Sequence, residues 1–311
     1  MIEAASEIKL ADDIKRFKDK GYKVLSVLLP ITSEWVYRRF MESLLGMCAG
    51  DAYNWFLAQK IKMVVNIEQD FPICHNRNMG ILNARYRWGA DYIMQLDTDQ
   101  TFLNGSIMEL FETMKKPAPD GTQVDVVSGM YYMKRPPFRP VLGIYDPKVE
   151  GEIKDNWALL DKSGFVCRGE CGEDRHKGGE AQIVRWMAPH SWPDDKIWRA
   201  DVIGVGCVMS RAEVWDKIPF PYFKYSTDPI RGNKFKEMPM ISEDMFWCAQ
   251  MHKAGVKVWI DPKIQCGHIG VLESNRQLYE TGFQMTKARF EALPDDNPEK
   301  KKFMEALLNV S

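Results

Sequence analysis

Residues 90–102 read ADYIMQLDTDQTF, an apolar run that ends in two carboxylates one residue apart, Asp97 and Asp99. The run over 91–96 predicts a buried strand, so both carboxylates lie at its carboxyl end, the edge where open α/β sheets bind their ligands. Two carboxylates there are typical of a site for a hard divalent cation such as Mn²⁺ or Mg²⁺, with substrate phosphates completing the coordination. A strand that ends in an Asp-rich turn is the alternative, because aspartate is common in turns.

The composition is that of an ordinary globular protein. Of the 311 residues, 45% are hydrophobic and 27% are charged, which predicts one large core with added segments. The formal net charge of −1 excludes a general electrostatic attraction to nucleic acid or anionic membranes. Seven cysteines, an odd number, together with no signal-like opening segment and no apolar run of about 18–20 residues, favour a cytoplasmic protein without a membrane span.

Hydrophobic patterning predicts an α/β fold. The predicted helices are 1–20, 34–60 with a break near Gly50, a helix that starts near Arg77, 106–116, a helix start over 212–217, and a helix capped by Ser242. The predicted strands are 23–32, which Pro30 ends, 61–67, 91–96, 124–132, 201–211 and 256–262. Residues 145–200 form a polar insertion that is longer than an ordinary loop.

The insertion contains some of the ligands of a zinc site. Cys167, Cys171, His176 and His190 have suitable side chains. Their spacing differs from the usual Cys-x₂-Cys pattern and the fourth ligand is undetermined, so free thiols on a hairpin are the favoured interpretation.

Arg77 lies at a helix start that precedes the carboxylate strand. Arginine stays charged and matches phosphate oxygens with two parallel N–H groups, which favours contact with a substrate diphosphate or base. A surface arginine beside the capping residue Asn78 is the alternative.

Five motifs occur in one order: Arg77-Asn78 before a helix, GADYIMQLDTD over 89–99, a Gly-rich strand running into Ser210-Arg211, the pair Glu243-Asp244, and the late segment GHIG over 267–270. In this order they resemble the GT-A glycosyltransferases, especially the family-2-like enzymes of bacteria and phages, over about residues 23–270. The resemblance implies a Rossmann-like mixed sheet flanked by helices over 1–270, with an insertion at about 145–200 and a C-terminal helical extension over 271–311. It also implies the host cytoplasm as the location if a phage encodes the chain.

The resemblance further implies transfer of a hexose or pentose from a nucleoside-diphosphate sugar to an acceptor hydroxyl, with Mn²⁺ or Mg²⁺ as cofactor. A UDP-sugar is the favoured donor. The implied metal ligands are Asp97, Asp99 and His268, and the implied catalytic base is Asp244 or, as second choice, Glu243. The residues implied in donor binding are Pro30, Thr32, Arg77, Asp97, Gly204 and Gly206. Before the Arg77 helix, this chain has one strand fewer than the family has. The aspartate that contacts the nucleotide base in the family therefore has no assigned counterpart here.

Several alternatives remain open at this point. Acids in a first helical turn stabilise the helix dipole, and a histidine at a strand end can belong to the core, so Glu243, Asp244 and His268 have plain structural interpretations. A nucleotidyltransferase of similar fold, which would release pyrophosphate, and a non-catalytic sugar-nucleotide-binding module are the alternative functions. The acceptor is undetermined among modified DNA, glycans, proteins and small molecules, and self-association through the C-terminal arm is a further expectation.

Overall fold

A computed structural model of the protein describes residues 2–33, 35–48, 50–69, 72–134, 140–144, 157–161, 185–189, 196–227, 240–270, 275–298 and 300–301. The candidate zinc ligands of the insertion lie outside these ranges. The described cysteines, Cys48, Cys74, Cys207, Cys248 and Cys266, are free thiols.

Helices and strands alternate in the first part of the chain, and strands predominate between residues 126 and 241. The helices are α1 (Ile2–Asp19), α2 (Arg38–Cys48), α3 (Asp51–Ala58), α4 (Ile73–Leu82), which continues into a π-turn over Asn83–Arg87, α5 (Ser106–Lys115), α6 (Glu243–Lys253) and α7 (Arg276–Glu291), with a 3-10 turn over Ala212–Asp216. The strands are β1 (Lys23–Ile31), β2 (Ile61–Gln69), β3 (Tyr92–Leu96), β4 (Gln100–Phe102), β5 (Val126–Tyr131), β6 (Leu142–Ile144), β7 (Trp157–Asp161), β8 (Arg185–Pro189), β9 (Trp198–Ala200), β10 (Val202–Ile203), β11 (Cys207–Arg211), β12 (Ser226–Thr227), β13 (Met240–Ile241) and β14 (Val258–His268).

The main sheet has the strand order β2-β1-β3-β11-β5-β14-β4, and β9 also pairs with β14. β1 is parallel to β2 and β3, and β14 is parallel to β5. β11 lies antiparallel between β3 and β5, so β1, β2, β3, β5 and β14 all run in one direction. Their carboxyl ends therefore meet at one edge of the sheet, together with the amino end of β11. A smaller sheet, β10-β6-β8-β7, and the pair β12-β13 are separate from it.

Apolar side chains cover both faces of the main sheet, because successive strand residues point to opposite faces. Val24 and Leu28 of β1 belong to the core cluster on the face covered by α1 and α4. Leu25 and Leu29 belong to the cluster on the other face, where α2, α3 and α5 pack. Burying each such side chain stabilises the fold by about 1.5–3 kcal/mol.

α4 lies unusually close to β1 at Gly80. A Cβ at this position would lie 2.1 Å from Leu28 Cδ1, so only glycine allows the approach without displacing the leucine. Asn76, on the same helix, donates from Nδ2 to the carbonyl of Ile31 over 2.8 Å. These contacts fix the amino-terminal turns of α4, which carry Arg77, beside the carboxyl ends of β1 and β3.

The predicted α/β architecture is confirmed, but several details of the strand prediction were wrong. Residues 201–211 are not one strand: β10 and β11 belong to different sheets, and Gly204, Val205 and Gly206 connect them. The last strand continues through to His268, because a register shift between Asp261 and Gln265 accommodates Pro262. β4 was not predicted at all.

Pro30 does not end β1, which continues to Ile31. The proline is accommodated because the pairing of β1 with β3 ends at Leu28, so its missing N–H removes no bond to that strand. Within the described part of the chain, no helix combines the length and the apolar composition that a membrane crossing requires.

Candidate functional site

The chain brings Asp97, Asp99 and His268 to the sheet edge where the parallel strands end. Asp97 follows β3, and its N–H donates to the carbonyl of Gly206 over 2.9 Å. His268 is the last residue of β14 and pairs in register with Gln100 of β4. The N–H of Ile269 donates to the Asp99 carbonyl over 2.7 Å. Main-chain hydrogen bonds therefore hold both ends of the Asp-x-Asp turn against neighbouring strands.

His268 faces Asp99 through one ring nitrogen and a backbone carbonyl through the other. Nδ1 lies 2.7 Å from the carbonyl oxygen of Tyr132, which accepts a hydrogen bond, so Nδ1 is the protonated nitrogen. Nε2 lies 3.5 Å from Asp99 Oδ1. A neutral Nε2 and a carboxylate oxygen are both acceptors, so a cation, either a proton or a metal ion, is needed between them. Binding of Nδ1 to a carbonyl is the arrangement that orients a metal-ligating histidine.

Lys134 lies beside the other oxygen of Asp99, and its Nζ donates to Asp99 Oδ2. Burial alone would raise the pKa of Asp99, but the hydrogen bonds with His268 and Lys134 lower it to about 2. Asp99 is thus ionised at neutral pH.

Arg77 is the centre of a buried group of carboxylates. Its side chain is 1% exposed, and Nη2 lies 2.8 Å from Asp97 Oδ1 and 3.7 Å from Asp244 Oδ1. Nε lies 3.8 Å from Glu243 Oε1, and the guanidinium stacks over the Phe223 ring. Although burial opposes the charge, the three carboxylates raise the pKa of Arg77, which is therefore charged. Its Nε and Nη1 have no hydrogen-bond partner within the described residues.

The pKa of Asp97 is raised. The first cause is burial, and repulsion from Asp99 and Glu243 adds to it, while attraction to Arg77 opposes the shift. Three carboxyl groups lie close to one guanidinium at this edge, so a further cation there would favour their ionised forms.

Glu243 and Asp244 open α6, and the Ser242 side chain caps this helix by accepting from the Met245 N–H. The Asp244 side chain is 23% exposed and also accepts from the Val205 N–H. Burial raises the pKa of Asp244 to about 8, helped by Glu243 and Asp97 and opposed by Arg77.

Glu243 is more enclosed than Asp244, and the Tyr225 hydroxyl donates to it. Burial raises the pKa of Tyr225 to about 12, and the nearby Glu243 charge adds to the shift. The two acids of the pair thus have different partners, as expected for adjacent helical residues.

Gly204 and Gly206 are required by what packs against them. A Cβ on Gly204 would overlap the hydroxyl of Tyr131. A Cβ on Gly206 would lie 1.9 Å from Gln100 Nε2 and 2.9 Å from Asp97 Oδ2. Gln100 is fully buried, and neither atom of its amide group has a hydrogen-bond partner in the described part of the chain.

Sequence reasoning missed four residues of the site, namely Tyr131, Gln100, Lys134 and Tyr225. Tyr131 ends β5 at the same edge, and its ring meets that of His268 edge-on at 5.6 Å between centroids. Only Lys134 had a signal in the sequence, since it lies in the basic, proline-rich segment MKRPPFRP over 133–140. The other three come from strand register and loop packing, which single-sequence patterns do not contain.

The remaining predicted residues lie at the same edge but do not join the carboxylate group. Pro30 is buried and Thr32 is exposed at the end of β1. Among the described residues, no hydrogen bond or ion pair joins these two side chains to Asp97 or Arg77, so their role in donor binding stays a prediction. Arg77 reaches the site, yet its guanidinium faces carboxylates rather than solvent, so its contact with a donor stays a prediction.

The chemistry of the donor set fits Mn²⁺ or Mg²⁺, since carboxylate oxygens suit both ions and a histidine whose Nδ1 is bound to a carbonyl can offer Nε2 to a metal ion. The positions of these side chains fit a bound metal ion less well than their chemistry does. Across the described ranges, no group of three or more His, Cys, Asp and Glu side chains converges closely enough to hold a metal ion. Arg77 and Lys134 instead lie against the two aspartates.

Comparisons with known proteins give similarity of architecture alone. No protein-family model and no curated protein matches the chain. The A197 protein from STIV matches with a TM-score of 0.42 at 13% identity, over 80% of this chain and 86% of that one. GalNAc-T7, whose crystal structure contains UDP, GalNAc and Mn²⁺, matches with a TM-score of 0.42 at 12% identity, over 91% of this chain and 54% of that one. TarS from S. aureus matches with a TM-score of 0.33 at 9% identity, over 93% of this chain and 43% of that one. With every TM-score below 0.5, any functional proposal has to rest on the site.

Proposed function

We propose that the protein is a metal-dependent glycosyltransferase, which moves a sugar from a nucleoside-diphosphate sugar to an acceptor hydroxyl. The observation that carries this proposal is the arrangement of Asp99 and His268. Their acceptor atoms face each other at 3.5 Å, with Nδ1 of the histidine already bound to a carbonyl. Asp97, which precedes Asp99 by two residues, completes a set of ligands suited to Mn²⁺ or Mg²⁺.

Bond cleavage at the anomeric carbon leaves negative charge on the departing nucleoside diphosphate. A divalent ion held by Asp97, Asp99 and His268 would stabilise that charge as a Lewis acid. Lys134 lies beside the same aspartate and is 41% exposed, so its ammonium group can move to a donor phosphate when a metal ion takes its place.

Asp244 is the proposed base that accepts the proton of the acceptor hydroxyl. Its pKa of about 8 lies close to the operating pH, where general bases are most effective. Its side chain is partly exposed, whereas Glu243 is buried and bound to Tyr225. These differences favour Asp244 over Glu243.

Arg77 is assigned as a positioning residue. The same Nη2 lies near one oxygen of Asp97 and one of Asp244, so the guanidinium sets the distance between the metal ligand and the base. A buried, multiply paired arginine is poorly placed to release its partners for a diphosphate, because unpairing buried carboxylates is costly. The donor contact that the resemblance implies for Arg77 stays a separate prediction.

The proposal is tested by calorimetric titration of the full chain with UDP-, GDP-, ADP- and CMP-sugars, in Mn²⁺ and in EDTA. At least one donor is expected to bind in Mn²⁺ and not in EDTA, and both Asp97→Ala and Asp99→Ala should abolish that binding. Asp12→Ala, at an exposed position of α1, is the matched control and should bind as the wild type does. Metal-independent binding, or unchanged binding in both site variants, contradicts the metal assignment.

Product analysis separates the rival activities. Sugar transfer releases nucleoside diphosphate, whereas nucleotidyl transfer releases pyrophosphate, and a non-catalytic module releases neither, even by slow donor hydrolysis. Candidate acceptors for this assay are modified DNA, glycans and small molecules, and sedimentation of the same sample tests the expected self-association.

A further inference from the structure

A separate cavity of about 340 Å³ lies on the face of the sheet covered by α5. Its walls include Lys116, Lys196, Lys263, Thr113 and Asp261 together with two prolines and an isoleucine. None of these residues belongs to the candidate active site. Asp261 precedes His268 on β14, and because the register shift between Asp261 and Gln265 advances the strand by only one residue of β5, the two regions are on the order of 13 Å apart along the strand.

The three lysines come from separate parts of the chain, and no ion pair joins any of them to an acidic side chain among the described residues. Lys116 follows α5, Lys196 precedes β9 and Lys263 lies in β14, and all three are exposed. No carboxylate within the described residues pairs with any of them, although Lys196 lies over the Trp198 ring. Lysines nearby are paired: Lys115 with Glu112, Lys217 with Asp125 and Lys257 with Asp120.

Among the described residues, Asp261 is the one carboxylate in the cavity wall, and both of its oxygens accept hydrogen bonds. Thr113 Oγ1 donates to Oδ2 over 2.6 Å, and the N–H of Lys263 donates to Oδ1 over 3.1 Å. The residue is buried, at 7% exposure. Asp261 therefore connects α5 to β14 and, within the described part of the chain, does not pair with the lysines of the cavity.

Local helix electrostatics do not account for the cluster. Lys116 stabilises the carboxyl end of α5, where a cation is favourable, but Lys196 and Lys263 are not in that helix. Lys263 lies in the register shift of β14 between Asp261 and Gln265. Such irregularities redirect side chains and occur often beside functional sites.

We propose that this cavity binds the phosphate group of a small phosphorylated molecule. Three ammonium groups from three segments supply charge-assisted donors to phosphate oxygens. The volume is at the lower end of the range for small-molecule sites and admits a diphosphate or a sugar phosphate. This site is independent of the proposed transferase activity.

The test uses the full chain and pyrophosphate as probe, titrated calorimetrically in EDTA so that metal-dependent binding at the Asp97 edge is absent. The variant Lys116→Gln/Lys196→Gln/Lys263→Gln should weaken pyrophosphate binding at least about tenfold. The control Lys15→Gln/Lys20→Gln/Lys253→Gln removes the same charge from exposed positions elsewhere and should leave the affinity within about twofold. Both variants change exposed side chains, so circular dichroism should show wild-type folding.

No pyrophosphate binding by the wild type, or equal binding by the cavity variant, overturns the proposal. A single-stranded oligonucleotide is the second probe. If it binds more tightly than pyrophosphate and loses its binding in the cavity variant alone, the ligand is a nucleic-acid phosphodiester and the small-molecule assignment is wrong. Weaker oligonucleotide binding supports the assignment.

Discussion

Arg77 donates from Nη2 to Asp97 Oδ1 over 2.8 Å, with 1% of the arginine side chain exposed. α4 supplies the arginine and the end of β3 supplies the aspartate, so one ion pair joins the two elements at the edge of the sheet. Asp244, at the start of α6, lies 3.7 Å from the same nitrogen.

Removing the Arg77 charge should destabilise the fold more than removing any exposed arginine. Arg77→Met leaves three buried carboxylates without their common cation, and breaking buried pairs in this way costs about 3–5 kcal/mol. Arg77→Lys should recover part of the loss, because it restores the charge without the planar geometry. The free energy of unfolding in urea measures both effects.

Arg38→Met is the control for this comparison. Arg38 pairs with Glu42 across one helical turn, and its side chain is 90% exposed. Its replacement should change stability little, because exposed pairs are weak. Equal losses in Arg77→Met and Arg38→Met would show that Arg77 is not the centre of a buried ion network.

The raised pKa of Asp244 predicts a dependence of stability on pH. With its folded pKa raised from 3.8 to about 8, the folded chain holds a proton that the unfolded chain has lost. The stabilising contribution is therefore complete below about pH 4 and is lost as the pH rises through about 8, by at most about 1.4 kcal/mol per pH unit.

Asp244→Asn removes this titration, and the titrations of groups distant from Asp244 cancel in the comparison. In metal-free buffer, the stability of the wild type relative to Asp244→Asn should fall steadily between pH 5 and about pH 8. Urea unfolding of both proteins at four pH values provides the measurement. A constant difference would mean that the Asp244 carboxyl has an ordinary pKa.

Gly206 should be intolerant of a side chain for two separable reasons. Gly206→Ala places a Cβ against Gln100 and near Asp97, and such overpacking costs about 1–3 kcal/mol. The double variant Gly206→Ala/Gln100→Ala should regain most of the stability, because the nearest clash is then absent. Its Mn²⁺ binding should stay impaired, because the Asp97 oxygen is still crowded. Full recovery of metal binding in the double variant would argue against the placement of Asp97 as a ligand.

His268 is expected to contribute to metal affinity. His268→Ala should weaken Mn²⁺ binding at least about tenfold, and wild-type affinity should fall in acid, because protonation of the imidazole competes with the metal. His252 is the matched control, since its Nδ1 also lies 3.5 Å from an aspartate oxygen, that of Asp201. Competition with a chelating dye measures the two affinities. Equal Mn²⁺ affinity in His268→Ala and His252→Ala would leave His268 as a core residue.

The sequence was sufficient to predict the main strands and helices that carry the site, but not the contacts among its side chains. The strand before Asp97 and the caps of the helices could be predicted, because local sequence patterns determine them. The position of His268 inside β14 was not, because the bulge at Pro262 depends on pairing with β5. The burial of Arg77 also escaped prediction, since a motif shows that an arginine is present and not which way its side chain faces. Gln100 and Tyr131 belong to the site because of the strand order, which depends on contacts between distant segments and could not be predicted.

The most direct test of the central claim is release of nucleoside diphosphate from a bound sugar donor in the presence of acceptor. The wild type should turn over in Mn²⁺ and stop in EDTA. Asp244→Asn should lower turnover by about 10²-fold or more with donor affinity near that of the wild type, while Glu243→Gln retains most of its activity. Wild-type rates in Asp244→Asn, or equal turnover of the wild type in Mn²⁺ and in EDTA, would contradict a metal-dependent glycosyltransferase that uses Asp244 as its base.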